Sequence, residues 1–358
     1  DPDSYASTPE TDTGDISVDG ANVAYNAGPV GIQFFGGKES PISNATLAAG
    51  LNGTAVRSGA YLPGSVVQGG INTPTGQYID EASGLRATFG TPDTYTIGIT
   101  GLLARVDTTA GPSPIDPITG KTYNNLLVYG ADYNGYIPGL EKTGITLDGE
   151  VAVSATGLDS RLANADATKG NDAWKAELGY GFGPVSLKGG YQVVYSGYAA
   201  PGSWGKIGDW TNPTNIKGGL ANISYAFSPS IKFVADGQYY QGQDNVGQNS
   251  PLGKEDHVGT FDVGVKSALT SAYSVDLGYE YVQWDLKNDQ TLLNTHGNPT
   301  EQYITLGVGH PINKNSDVRL AYQIIRYSSD KTDFLGGGAD GTGNAVGGVA
   351  TTQFDFKF

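Results

Sequence analysis

The chain has 358 residues, among them 54 Gly, 22 Tyr and no Cys or Met, with a formal net charge of −15 and only 16% charged residues. The missing cysteine excludes disulfides, thiolate metal sites and cysteine nucleophiles, and no stretch supplies the basic stripe that nucleic acid requires. Glycine without a Gly-X-Y period excludes a collagen helix, and 10% aromatics is too many for an acidic disordered chain.

No apolar run approaches the ~20 residues of a membrane helix, and residues 1–20 hold no signal-peptide core. Strands are another matter, since ~9–11 alternating residues suffice to cross a bilayer. Helical spacing fails nearly everywhere, whereas period two recurs along the chain. It predicts strands at 15–25, 29–37, 83–90, 95–106, 122–133, 144–154, 172–182, 185–196, 216–227, 231–241, 258–267, 272–286, 300–310, 317–328 and 348–358. Segments 1–14 and 38–82 read as loop, the first as the tail of an external loop preceding a barrel domain at 15–358.

Each strand has an apolar and a charged side. ITLDGEVAV sets Ile145, Leu147, Val151 and Val153 against Asp148 and Glu150, and WKAELGYGF sets Trp174, Leu178 and Tyr180 against Lys175 and Glu177. Further on, Lys188, Lys232, Asp236, Asp262, Lys266, Asp276, Glu280 and Arg319 fall opposite the apolar residues of their strands, as does Arg86 earlier. Short connections follow every odd strand, as at Gly28, Gly183-Pro184 and Ile137-Pro138-Gly139, and long ones follow every even strand. A water-soluble sandwich has no need of that rhythm, and its dry core would reject the charges. An antiparallel transmembrane β-barrel accommodates both: short periplasmic turns, long extracellular loops, apolar residues toward lipid and charged ones toward a wet lumen. Tyr and Trp near strand ends, such as Trp174, Tyr180, Tyr225, Tyr239 and Tyr281, suit the interfacial girdles of such a barrel.

With short connections inside, strand 15–25 starts outside the cell, an odd arrangement for a barrel of even strand number. Either a strand hides in 38–82, although the small hairpin suggested at 54–70 adds two segments and cannot repair the parity, or the chain is the C-terminal part of a longer one. The second alternative is the expectation.

At the carboxyl end, Phe354, Phe356 and Phe358 alternate with Asp355 and Lys357. This resembles the terminal strand of outer-membrane barrels, which the barrel-assembly machinery recognises, and the Gly/Tyr-rich alternation is similar to porins in general. Leu85-Arg86-Ala87-Thr88-Phe89, Ile137-Pro138-Gly139-Leu140 and Gly144–Val153 resemble, more narrowly, the barrel of SlpA-type surface-layer proteins of the Deinococcus–Thermus group. That resemblance implies a larger barrel in the outer membrane, trimeric assembly, a tether to the cell wall through an upstream region, and passive passage of small solutes. A general diffusion porin of 16 strands is the alternative, and a non-conducting surface protein or adhesin is the rival of another class.

No enzyme constellation emerges: His257, His296 and His310 are scattered, and Ser154 and Ser186 lie in strands without a nucleophile elbow. No cofactor is expected apart from Ca²⁺ in external loops, for which Asp12, Asp15, Asp330, Asp333 and the pair Glu255/Asp256 are candidates. The mixed signs of the charged face predict a wide, weakly selective pore with a slight cation bias.

Overall fold

Residues that alternate every second position need two unlike environments, and the chain supplies both by assembling fifteen strands into one antiparallel sheet. The structure, a computed structural model, describes residues 18–39, 78–107, 125–156, 170–198, 200, 204–208, 210–211, 213–244, 252–270, 272–287, 297–328 and 344–356. The first eight strands are β1 (Val18–Ala27), β2 (Val30–Glu39), β3 (Tyr78–Thr91), β4 (Tyr95–Asp107), β5 (Asn125–Tyr136), β6 (Ile145–Thr156), β7 (Asp172–Phe182) and β8 (Val185–Val194). Two short strands follow, β9 (Lys206–Ile207) and β10 (Trp210–Thr211), paired only with each other. The sheet resumes with β11 (Ile216–Ser228), β12 (Ile231–Gly242), β13 (His257–Ala268) and β14 (Ser274–Asp285). It ends with β15 (Thr300–Asn313), β16 (Ser316–Ser328) and β17 (Ala345–Phe356). Every strand of the large sheet pairs with the sheet strand before it, β8 passing directly to β11.

The connections alternate as the sequence predicts, with short ones at 28–29, 92–94, 183–184, 229–230 and 314–315. In Gly28-Pro29 and Gly183-Pro184 the glycines take φ +58° and +55°, which the first central residue of a type II′ hairpin turn requires. The connection expected at Ile137-Pro138-Gly139 is wider, because Glu141–Thr143 adds one 3-10 turn. The Gly139 N–H donates to the Glu141 carboxylate at 2.9 Å, and backbone hydrogen bonding holds that carboxyl below its ordinary range. Strand β15 runs on through Pro311, past its expected end, by inserting a bulge between Pro311 and Asn313. Residues 1–14, the expected hairpin at 54–70 and most of the loop 38–82 lie outside the described residues; at its two ends, residues 38–39 and 78–82 belong to strands.

Register sorts the residues cleanly. The row Tyr180, Leu187, Ile223, Ala235, Val263, Tyr279, Ile304, Ile324 crosses from β7 to β16 without one charge. One residue along, on the opposite face, runs Lys188, Asn222, Asp236, Asp262, Glu280, Tyr303. The apolar face is the exposed one: Ile99 is 64% exposed, Leu178 54% and Leu277 52%.

Burial occurs on the charged face instead, toward the long-connection ends of the strands. Trp284, Val282, Val258, Ile216 and Val194 join Tyr198, Ile207 and Trp210 in one cluster that extends from Ala152 on β6 to Tyr303 on β15. In a flat sheet those two strands would stand about 34 Å apart, at ~4.8 Å per step. Tyr198, Ile207 and Trp210 link residues of strands that far apart in one cluster, as a face curved around them does, and this face is taken as the concave one. The strands β1 and β17 have no second strand partner among the described residues. Being first and last of fifteen alternating strands, they run in the same direction.

Candidate functional site

All thirteen charged residues singled out in the strands, from Arg86 to Arg319, lie on the concave face, and most of them fall into two kinds of arrangement. In the first, opposite charges close on each other across an intervening strand. Arg86 on β3 reaches Asp132 on β5 with two bonds, Nη1 to Oδ2 at 2.7 Å and Nη2 to Oδ1 at 2.8 Å, while Nη1 also donates to Thr100 Oγ1. Lys188 on β8 reaches Asp148 on β6 at 3.0 Å, and Arg319 on β16 reaches Asp276 on β14 at 2.5 Å. The strand bridged each time presents a glycine beneath or beside the pair. A Cβ on Gly98 would fall 2.4 Å from Asp132 Oδ2, one on Gly307 3.4 Å from Asp276 Oδ2, and one on Gly179 3.6 Å from Lys188 Cγ. Two turns of the sequence pattern therefore cooperate: long charged side chains on the outer strands and a missing side chain between them. Lys175 pairs along its own strand with Glu177 at 2.5 Å, beside Glu150 in register. Lys232 stands opposite Lys266, which in turn stands opposite Asp276.

The second arrangement is an acid row. Asp236, Asp262 and Glu280 are direct register partners at mid-length of β12, β13 and β14, with Glu301 close by on β15. Asn222 Nδ2 donates to Asp236 at 2.6 Å. Glu301 accepts from Trp284 Nε1 at 2.8 Å and from the Tyr303 hydroxyl at 2.5 Å. Asp262 Oδ1 and Glu280 Oε2 are buried without a hydrogen-bond partner. Glu280 is only 5% exposed.

Over this row lies the β9–β10 hairpin, whose partners come from strands remote in sequence. Trp210 packs on Trp284 with ring centres 5.8 Å apart, and Tyr198 meets Trp204 edge-on at 5.3 Å. The Trp204 indole N–H donates to the Pro213 carbonyl at 3.0 Å, fixing the base of the segment. Burial pushes the Tyr198 phenol above its ordinary range, and the charge of Glu150 adds to the effect. At the hairpin turn Gly208 takes φ +54°, and its missing Cβ leaves the space that Glu301 Oε2 fills, 2.3 Å from where a Cβ would be. The Gly208 backbone also hydrogen-bonds Glu280, and Lys206 presents its charge to both Asp262 and Glu280.

Asp132, Lys206 and Glu301 were not among the residues that the sequence singled out. A signal was present: two of the four tryptophans, Trp204 and Trp210, stand in one long connection, an apolar density that a solvated loop does not need. Of the calcium candidates, Asp12, Asp15, Asp330 and Asp333 lie outside the described residues, as does Phe358. Asp256 serves otherwise than the calcium reading of Glu255/Asp256 expects. Its carboxylate is fully buried and accepts the N–H groups of Gly253 at 2.7 Å and Lys287 at 2.6 Å, tying two connections together. Phe354 and Phe356 lie exposed on the apolar face of β17. Among the described residues, no group of three or more His, Cys, Asp or Glu is arranged to hold a metal.

No family model matches the chain, and no curated protein matches it. Solved structures similar to it include the outer membrane channel DcaP of Acinetobacter baumannii, at 14% identity, covering 76% of this chain and 84% of that one with TM-score 0.38. OccK5 (OpdH) of Pseudomonas aeruginosa is similar at 11% identity over 95% of this chain and 81% of that one, TM-score 0.46. OccAB2 of Acinetobacter baumannii is similar at 11% identity over 94% and 90%, TM-score 0.45.

Proposed function

We propose that the chain is the membrane-spanning part of an outer-membrane porin, passing ions and small hydrophilic solutes passively along its concave charged face. The observation that carries this reading is the exposed apolar belt on the convex face, crossing strand after strand without a charge. A protein in water rarely leaves a patch larger than a few hundred Å² of such surface uncovered. Strand length agrees: 12 residues at ~3.4 Å each, tilted by about 40°, span ~30 Å of hydrocarbon.

In hydrocarbon the free edges of β1 and β17 need partners. Joining them directly makes a parallel seam, whereas one further strand between them makes a 16-stranded antiparallel ring. The diffusion-porin reading has this geometry in its favour. The surface-layer reading, with its trimer and its wall tether, draws on the sequence resemblance alone. Planar-bilayer recording of the purified protein tests the proposal: stable ohmic channels are expected. Insertion without conductance would leave a non-conducting surface protein, and recovery in the aqueous phase on membrane fractionation would overturn the membrane reading.

A further inference from the structure

Four carboxylates gather on four neighbouring strands, Asp236, Asp262 and Glu280 at mid-length of β12, β13 and β14 and Glu301 near the start of β15, facing the ammonium of Lys206. Two of them are satisfied by neutral donors, Asp236 by Asn222 and Glu301 by Trp284 and Tyr303. The other two keep one oxygen each, Asp262 Oδ1 and Glu280 Oε2, buried and without a hydrogen-bond partner. An orphaned carboxylate oxygen in a desolvated place costs free energy that a donor would recover, and here two such oxygens belong to register partners on adjacent strands.

The hairpin is fitted to this place. Gly208 donates its backbone to Glu280 and admits Glu301 where any side chain would collide, so Lys206 arrives on a seated turn. The donor that the protein itself brings is thus a primary ammonium, a compact cation with three N–H groups. No all-protein metal geometry is present among the described residues.

We propose that Asp262 and Glu280, flanked by Asp236 and Glu301, form a recognition site for the primary ammonium or guanidinium group of small cationic solutes, with Lys206 as its tethered occupant. The site lies on the concave face assigned above to the pore, and its place in a transport path rests on that assignment. A solute enters by displacing Lys206 and takes up the orphaned oxygens. Lys206 then slows passage of cations that bind less well than itself, and hands the site over to those that bind better.

The test is calorimetric titration of the detergent-solubilised full chain with 1,4-diaminobutane, with succinate as a dianion of the same length. The diamine should bind and succinate should not. The pair D262N/E280Q should weaken diamine binding at least tenfold. Lys206→Met should strengthen it by about tenfold, because a tethered competitor acts at an effective concentration of order mM. Absent binding, binding unchanged in D262N/E280Q, or no gain in K206M each overturn the site. If D262N/E280Q loses its strand spectrum, K206M decides alone, gain supporting the site and no gain refuting it. Conductance separates the two proposals: channels without diamine binding refute the site and leave the porin, whereas binding without channels leaves the site and refutes the porin.

Discussion

The concave face carries charge in two ways. Around Arg86–Asp132, Lys188–Asp148 and Arg319–Asp276, opposite charges close on each other over a neighbouring strand. Around Asp262 and Glu280, acids stand together, buried and short of donors, beneath a hairpin brought in from a long connection. The first region keeps a wall wet at little electrostatic cost. The second holds an imbalance that the strands alone do not relieve, and it is there that the chain brings a cation of its own.

If the hairpin is what makes the second region different, unseating it should have the largest effect. Trp210→Ala removes a fully buried indole packed on Trp284, worth about 3–5 kcal/mol of local stability. Trypsin should then cut at Lys206 while the strand spectrum stays unchanged. An uncut Lys206 would mean that the segment is held by something other than this packing. Gly208→Val meets Glu301 at 2.3 Å and imposes a β-branched residue at φ +54°. About 1–3 kcal/mol of strain is expected, read as faster hydrogen exchange confined to residues 204–215.

The first region should respond weakly. Asp132→Ala removes both hydrogen bonds from Arg86, but both side chains are partly exposed, 34% and 26%. Solvent screening limits the loss to about 1 kcal/mol, less at high salt. A salt-independent loss of several kcal/mol in thermal unfolding would erase the contrast between the regions. The smallest effects belong to the bridging glycines. Gly307→Ala places a Cβ 3.4 Å from Asp276 and should leave unfolding within about 0.5 kcal/mol of the parent. Gly98→Ala, at 2.4 Å from Asp132, should displace the guanidinium fork and cost slightly more than Gly307→Ala.

The strands were legible because each has one apolar and one charged face, and that division writes itself into every second residue. Leu277 and Glu280 could be assigned to opposite faces with no knowledge of their neighbours. Asp132 escaped because the reading ended its strand at 133, three residues before β5 ends, and left it at the margin. The hairpin escaped for a deeper reason. The sequence of 195–215 carries no period, and the hairpin itself is placed by partners 70 or more positions away, Trp284 for Trp210 and Glu301 for Gly208. Such contacts leave composition as their trace, here two tryptophans in one connection, but no spacing from which a position follows.

The glycines between paired charges bear on caliber. A lysine or arginine standing upright on a narrow tube takes its own length out of the bore at that level. Laid down in a trough left by an absent side chain, as Lys188 and Arg319 are, it becomes part of the lining. On the porin reading proposed above, the lining is thereby charged without being throttled, and among the described residues the β9–β10 hairpin is what leans in over it.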